Sequence, residues 1–444
     1  MRRRAGILWQ GLVLMAVMSG VPGCSLASLT VGHALVTSPL WPRFVVVGRS
    51  SGRLPLTLSC AVGSRRAMTV TMVGQVRSRS WHCAAWRLQG PAPGGLATWF
   101  EMDGGLVRAV PADGAPGAAA RPLWAPGLKE RFRRARISVQ GARLRVAATL
   151  TGPLATGSYR FTVEAGRALS MAVTARLIFQ GPLPAVYGLP ALTTRYDYGV
   201  ANHMPALAVY LARHASDGLW MAGPKAHYWV PLRNPRAPLL GMPASAVVSR
   251  FGLLQRNRRR RDFGPVATCY QNAPDVEARL VGLRGQVGLR EQPLRDQGRG
   301  AGYGNVAALF MPLVRPPVGR LWVEQYQLIW SRHRRRTKGL VVVSTLIGGS
   351  FRTGARKYVI DYARGALPLH LPHSAITGHV RVRPLSFVTQ NTWRFNPYTG
   401  GWRQVIQVLP VPGRTLHVRA WLTRGRHLIS EVWAYDILAP RVSH

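Results

Sequence analysis

The chain has 444 residues, 47% hydrophobic and 17% charged, a composition that can bury a large core, suits two domains and excludes a disordered chain. Its formal charge is +43, carried almost wholly by arginine, since only Lys129, Lys225, Lys338 and Lys357 are lysines. Such a field attracts polyanions, whether nucleic acid, anionic lipid or acidic polysaccharide; the plainer alternative is a vocabulary of Ala, Arg, Gly, Pro and Val that has replaced lysine, with the charges solvated.

Arg2, Arg3 and Arg4 precede an apolar run from Gly6 to about Val21, followed by Pro22, Gly23 and Cys24. A basic start, a short apolar stretch and a small-residue exit predict a secretory signal peptide over 1–27 rather than a spanning helix. Val21-Pro22-Gly23-Cys24 also resembles a lipobox, leaving two exits: acylation of Cys24 or plain cleavage near Ala27. Arg3-Arg4 hints at twin-arginine export, and no later stretch is long and apolar enough to span a membrane. Export takes the chain out of the cytoplasm and makes nucleic acid the least suitable polyanion, so none is expected as a partner. In an oxidising compartment Cys60 is expected to pair with Cys83, with Cys269 a buried thiol. There is no Cys-x-x-Cys pair and no zinc spacing, so neither a metal nor a cofactor is expected.

Gly48-Arg49-Ser50-Ser51-Gly52 matches the Gly-x-Ser-x-Gly nucleophile elbow, but Arg53 to Leu58 continues in β pattern where the elbow needs a helix, so a surface turn is expected. Gly90 to Gly95 and Ala109 to Pro126 are rich in Pro, Gly and Ala and are predicted as loops. Period-2 alternation then predicts strands at Arg143–Leu150, Tyr159–Val163, Leu321–Trp330, Val405–Leu409 and Leu416–Leu422. Gly302-Tyr303-Gly304-Asn305 opens no helix and is not a dinucleotide loop. The run from Ser331 to Gly339 is basic, lacks an apolar face and repels itself, as a linker does. His370 and His373 lack a third metal ligand, and Asn396-Pro397-Tyr398-Thr399-Gly400-Gly401 predicts a hairpin loop. The fold class is therefore all-β, with strands buried as sandwiches or barrels.

From about residue 125 onward, Thr156–Phe161 (TGSYRF), Ser216-Asp217-Gly218-Leu219, Trp229 with Pro231–Pro235, Phe251–Arg256 (FGLLQR), Asn305-Val306-Ala307, Phe395-Asn396-Pro397 with Gly401-Trp402-Arg403, and Ser430–Tyr435 (SEVWAY) follow one another. Their order resembles the periplasmic glucan biosynthesis protein G and protein D family, of osmoregulated periplasmic glucans. The resemblance implies a mutarotase-like β-sandwich over 28–331, a basic linker over 332–339 and an immunoglobulin-like β-sandwich over 340–444. It also implies β-linked glucan as ligand and a membrane glucan synthase as partner, and the arginine-rich surface suits an anionic membrane face or acidic substituents on the glucan.

Members of that family resemble glycoside hydrolases that cut β-1,2-linked glucan with two aspartates, an acid and a base held roughly 6.5 to 9.5 Å apart for inversion. Here the expected base position is Ala215, within His214-Ala215-Ser216, and the aspartate expected before Asn305 is Gly304. Neither side chain can transfer a proton. Asp217 and Asp296 are the candidates for a relocated catalytic pair, an idea that fails if they lie more than about 12 Å apart. Asp217 has two other readings, a turn residue capping the Ser216-Asp217-Gly218 backbone and an acceptor for sugar hydroxyls. Trp220, Tyr228 and Trp229 are candidates for stacking on glucose, Trp220 as the exposed ring, with Gln255, Arg256 and Asn305 as hydroxyl donors. The plainer reading puts all three aromatics in the sandwich core. Two further readings stand beside glucan binding with a degraded catalytic pair: an active hydrolase and a polyanion-binding envelope protein.

Overall fold

The computed structural model describes residues 43–438 except 50–55, 63–67, 74–79, 91–97, 111–116, 141–142, 200–209, 243–246, 264–267, 295–303, 333–338, 350–353, 366–374 and 385–386. The signal segment, Cys24, Asp296, His370, His373 and most of the basic run therefore lie outside the described residues, as does the side chain of Cys269.

Almost every described element is a strand. The described helices are the single turns Arg260–Phe263 and Thr268–Gln271. Alternation explains this locally: in Arg143–Thr151, Leu144, Val146, Ala148 and Leu150 are buried while Arg143, Arg145, Ala147 and Thr149 face out. Leu321–Ser331 and Thr415–Arg424 cover two more predicted strands, Gly401–Val408 takes in the predicted Val405–Leu409 up to Val408, and Tyr159–Val163 lies within Ala155–Ala165. Thr399 N–H donates to the Asn396 carbonyl (3.2 Å) in the turn joining Val388–Asn396 to Gly401–Val408.

Two large sheets form the first sandwich, one of ten strands and one of fifteen. Their facing sides share one core, where Phe100 meets Phe161 edge to face at 5.3 Å and Phe251 stacks on Phe310 at 6.2 Å. Cys60 and Cys83 are disulfide-bonded, tying Thr57–Val62 of the ten-stranded sheet to Ser80–Cys83 at the edge of the other. The loop expected at Ala109–Pro126 is corrected in part: Leu106–Val110 and Ala119–Arg121 are strands. Alanines 118 to 120 are fully buried, and Ala119–Arg121 pairs with Ala191–Thr194. Only close packing against a neighbouring strand gives so small a side chain a reason to be extended, and that packing is invisible to local propensity.

The second sandwich pairs a four-stranded sheet, Val341–Gly349, Arg356–Ala363, Gly401–Val408 and Val388–Asn396, with Ile376–Arg383, Thr415–Arg424 and Val432–Leu438. Its core holds Tyr358, Ile360, Leu416, Val418 and Trp433. Val432–Leu438 also runs parallel to His227–Pro231, Tyr228 opposite Val432 and Trp229 opposite Trp433. The fifteen-stranded sheet thus passes without a break from one sandwich into the other.

Candidate functional site

The positions where the family resemblance expects carboxylates meet across a single short segment, Thr194-Arg195-Tyr196. The Ala215 N–H donates to the Arg195 carbonyl at 2.9 Å. Gly304 lies against the preceding residue so closely that a Cβ there would sit 2.0 Å from the Thr194 carbonyl oxygen, and its φ of +123° disfavours any side chain. Ala215 is fully buried in an apolar cluster with Ala212, Phe263, Tyr270 and Ala273. Asn305 fixes the same segment, its Oδ1 accepting from Tyr196 N–H (2.9 Å) and its Nδ2 donating to the carbonyls of Tyr196 (2.8 Å) and Gln292 (3.0 Å). Its amide is spent on backbone, so the expected sugar donor is a strand clamp here.

His214 stands beside Ala215 with its ring stacked on Tyr196 (5.1 Å, 4°) and edge-on to Phe263. Its Nδ1 bonds Gln255 Oε1 at 2.9 Å, while Gln255 Nε2 donates to the carbonyls of His214 and Tyr270, both at 3.3 Å. Burial pushes the His214 pKa down, so the ring is held neutral. Gln255, expected to meet sugar hydroxyls, is buried and committed to this cluster.

Asp217 is half-buried, and its carboxylate accepts from Arg256 N–H (3.0 and 3.1 Å) and Asn257 N–H (2.6 Å). It therefore caps a neighbouring loop rather than its own turn, a correction that follows from strand pairing: Gly218 lies opposite Leu254, which delivers Arg256 and Asn257 to the carboxylate. Asp275 and Asp262 hold the same loop, through Gln255 N–H (2.7 Å) with Arg258 (2.9 Å), and through Asn257 Nδ2 (2.9 Å). Burial raises Asp275 to about 6 despite Arg258.

The remaining candidates belong to the junction between the sandwiches. Trp220, expected as the exposed ring, is 7% exposed, and Trp229 is 4% exposed. Both pack into the second core. The sequence alone could not show this, because the partner strand arrives some 200 residues later. Tyr228 is half-buried, with Arg419 over its ring at 5.8 Å. The Arg256 guanidinium lies 3.7 Å from the Trp229 ring centre and grips Glu431 bidentately (2.6 and 2.7 Å), with a further bond to the Val342 carbonyl. These contacts make the half-buried Arg256 a clamp between the two sandwiches, with its guanidinium committed to Glu431 and Val342. Arg233 is a second clamp, bonded to Glu291 (2.6 Å) and to the Asp436 carbonyl (2.6 Å), with its guanidinium 5.1 Å from the Tyr435 ring centre.

The family described as "Periplasmic glucan biosynthesis protein, MdoG" matches residues 130–437. This chain belongs to that family. Among curated relatives, the "Glucans biosynthesis protein G" of Serratia proteamaculans is 27% identical over 66% of this chain and 58% of its own length. The protein of that name from Pseudomonas aeruginosa is 28% identical over 68% of this chain and 60% of its own. The chain thus spans about three fifths of the relatives it matches. A solved polysaccharide lyase covers 85% of this chain and 39% of its own with a TM-score of 0.19 and 10% identity, too distant to carry an argument. The family match begins at 130, so the strands between 43 and 121, which supply six of the ten in the smaller sheet, lie outside it.

Within this family member, Asp197 is, with Asp262 and Asp275, a carboxylate that no motif singled out. It lies in Tyr196–Tyr198, the strand that pairs with Arg213–His214, and Arg213 approaches it at 3.4 Å. Burial raises its pKa against the pull of Arg213 and Arg195, and burial likewise raises neighbouring Tyr198. The only sequence signal was an acid between two tyrosines in a chain with few acids. Asp296, the proposed partner of Asp217, lies outside the described residues.

Proposed function

We propose that this chain binds β-linked glucan on its first sandwich, beside the Thr194–Tyr198 segment, and serves periplasmic glucan assembly without cutting the chain. One observation carries the reading: the two positions that would hold the catalytic acid and base are a fully buried alanine and a glycine with no room for a Cβ. Two carboxylates are the minimum for inverting hydrolysis. The carboxylates nearby are engaged elsewhere, since Asp217, Asp262 and Asp275 all hold the 255–258 loop. The half-buried Asp197–Arg213 pair beside Tyr198 offers an acceptor and a donor to adjacent sugar hydroxyls. A membrane glucan synthase as partner belongs to the same proposal, as does export, with cleavage near Ala27 or acylation of Cys24 as its two exits.

The test is incubation of the protein with linear β-1,2-glucan while following new reducing ends, beside calorimetric binding of the same glucan. The expected result is no turnover, with binding that Asp197→Asn weakens about tenfold, the loss of roughly one charge-assisted contact. Turnover that Asp217→Asn abolishes would overturn the reading in favour of a relocated acid and base.

A further inference from the structure

The outer face of the fifteen-stranded sheet, away from the segment just described, carries an open groove of about 700 Å³. It crosses five consecutive strands: Ser80–Cys83, Met68–Val73, Arg131–Gln140, Arg143–Thr151 and Ala155–Ala165. At about 4.8 Å per strand spacing it is roughly 19 Å across. The strand registers fix its pattern. One row sets Arg136 and Arg160 on either side of Ala147, and the next sets Arg134 and Ser158 on either side of Thr149. Thr69, Thr71 and Ser80 extend the hydroxyl-bearing floor. Among the described residues no carboxylate lines it.

An exposed sheet face ordinarily relieves like charges by cross-strand pairing. This sheet does so just beyond the groove, where Arg143 faces Glu164 at 2.6 Å. Inside the groove Arg136 and Arg160 flank a methyl group, with Cα atoms roughly 10 Å apart, and Arg134 follows Arg136 at roughly 7 Å. An anionic group seated over Ala147 would receive guanidinium forks from two sides. Among the described lining residues the only aromatic ring besides the imidazole of His82 is that of Tyr159, which is fully buried and offers nucleobases no stacking platform. The concave shape suits a chain rather than a flat bilayer, and the Ser and Thr hydroxyls suit the hydroxyls of a sugar.

We propose that this groove is a second binding site, for an anionic oligosaccharide whose phosphate, sulfate or carboxylate groups sit between Arg134, Arg136 and Arg160. The site is separate from the Thr194–Tyr198 segment and stands whether or not neutral glucan binds there.

The test titrates the full chain with a fluorescent heparin-derived hexasaccharide, a neutral β-1,2-glucan hexasaccharide and phosphatidylglycerol vesicles. The sulfated chain is expected to bind and the neutral chain to leave the groove variants indistinguishable from the parent. Ala147→Glu, which supplies an internal counterion for one unit of net charge, is expected to weaken the sulfated chain at least tenfold. The triple change Arg134→Gln, Arg136→Gln, Arg160→Gln is expected to weaken it further and flatten its salt dependence. A control with the same charge change at exposed sites on the second sandwich, Arg394→Gln, Arg414→Gln, Arg426→Gln, is expected to change affinity less than threefold. Equal losses in both triples would overturn the proposal in favour of diffuse attraction by net charge. Groove changes that weaken vesicle binding while sparing the hexasaccharide would overturn it in favour of a membrane face. All substituted side chains are exposed, and if Ala147→Glu lowers the melting temperature the arginine triple carries the test alone.

Discussion

Glu324→Gln should make this protein more stable, and increasingly so as pH rises. Glu324 points into the first core from Leu321–Ser331, in a cross-strand row with Ala175 and Tyr159. It is 1% exposed, and among the described residues the only side chain that bonds its carboxylate is Trp322, whose Nε1 donates at 3.3 Å. Glu324 Oε1 and the hydroxyls of Tyr159 and Tyr326 are buried with no partner among the described residues. Desolvation raises the carboxyl pKa from 4.5 to about 8. Above pH 4.5 the unfolded chain ionises this group while the folded chain keeps its proton, so the folded state binds more protons and stability falls with rising pH. Each pH unit in that window costs about 1.4 kcal/mol, which gives a penalty of about 3 kcal/mol by pH 7 and a plateau near 5 kcal/mol above pH 8. Glutamine keeps the shape and never ionises. Urea unfolding of both proteins between pH 4 and 9 should give curves that coincide near pH 4 and diverge steadily to about pH 8. Parallel curves across that range would refute the reasoning, because they would show that Glu324 carries the same charge in both states.

Several further outcomes follow from the junction and the site. Arg256→Met or Glu431→Gln alone should cost about 3 to 5 kcal/mol by leaving a buried partner uncompensated, while the double variant should recover part of the loss in a double-mutant cycle. Gly218→Ala should destabilise by about 3 kcal/mol or more in denaturant titrations, because the new Cβ would lie 2.0 Å from the Trp229 ring. Gly304→Ala should do likewise, measured in the same way, since it meets both the Thr194 carbonyl and an unfavourable φ. His214 is held neutral by burial, so the unfolded chain alone protonates it as pH drops below about 6.5 and stability declines there; His214→Gln should flatten that part of the pH curve.

The all-β class is legible in the chain itself, because period 2 with turn residues at each end is a local property: RLRVAATL and LWVEQYQLIW each show which residues face the core. It also brought out Ala215 and Gly304 as positions without a carboxylate, and the pairing of Cys60 with Cys83 follows the expectation for an oxidising compartment. What the polar residues around Asp217 hold depends on strand pairing in three dimensions. Asp217 meets Arg256 and Asn257 because two strands bring them alongside, and Arg256 meets Glu431 across 175 residues of chain. Trp220 and Trp229 look the same in sequence whether they face sugar or a second sandwich, and the parallel approach of Val432–Leu438 settles the matter by burying them. The physical reason is range: alternation acts between neighbours, whereas the partners of a buried arginine or tryptophan are chosen by packing between strands far apart in the chain.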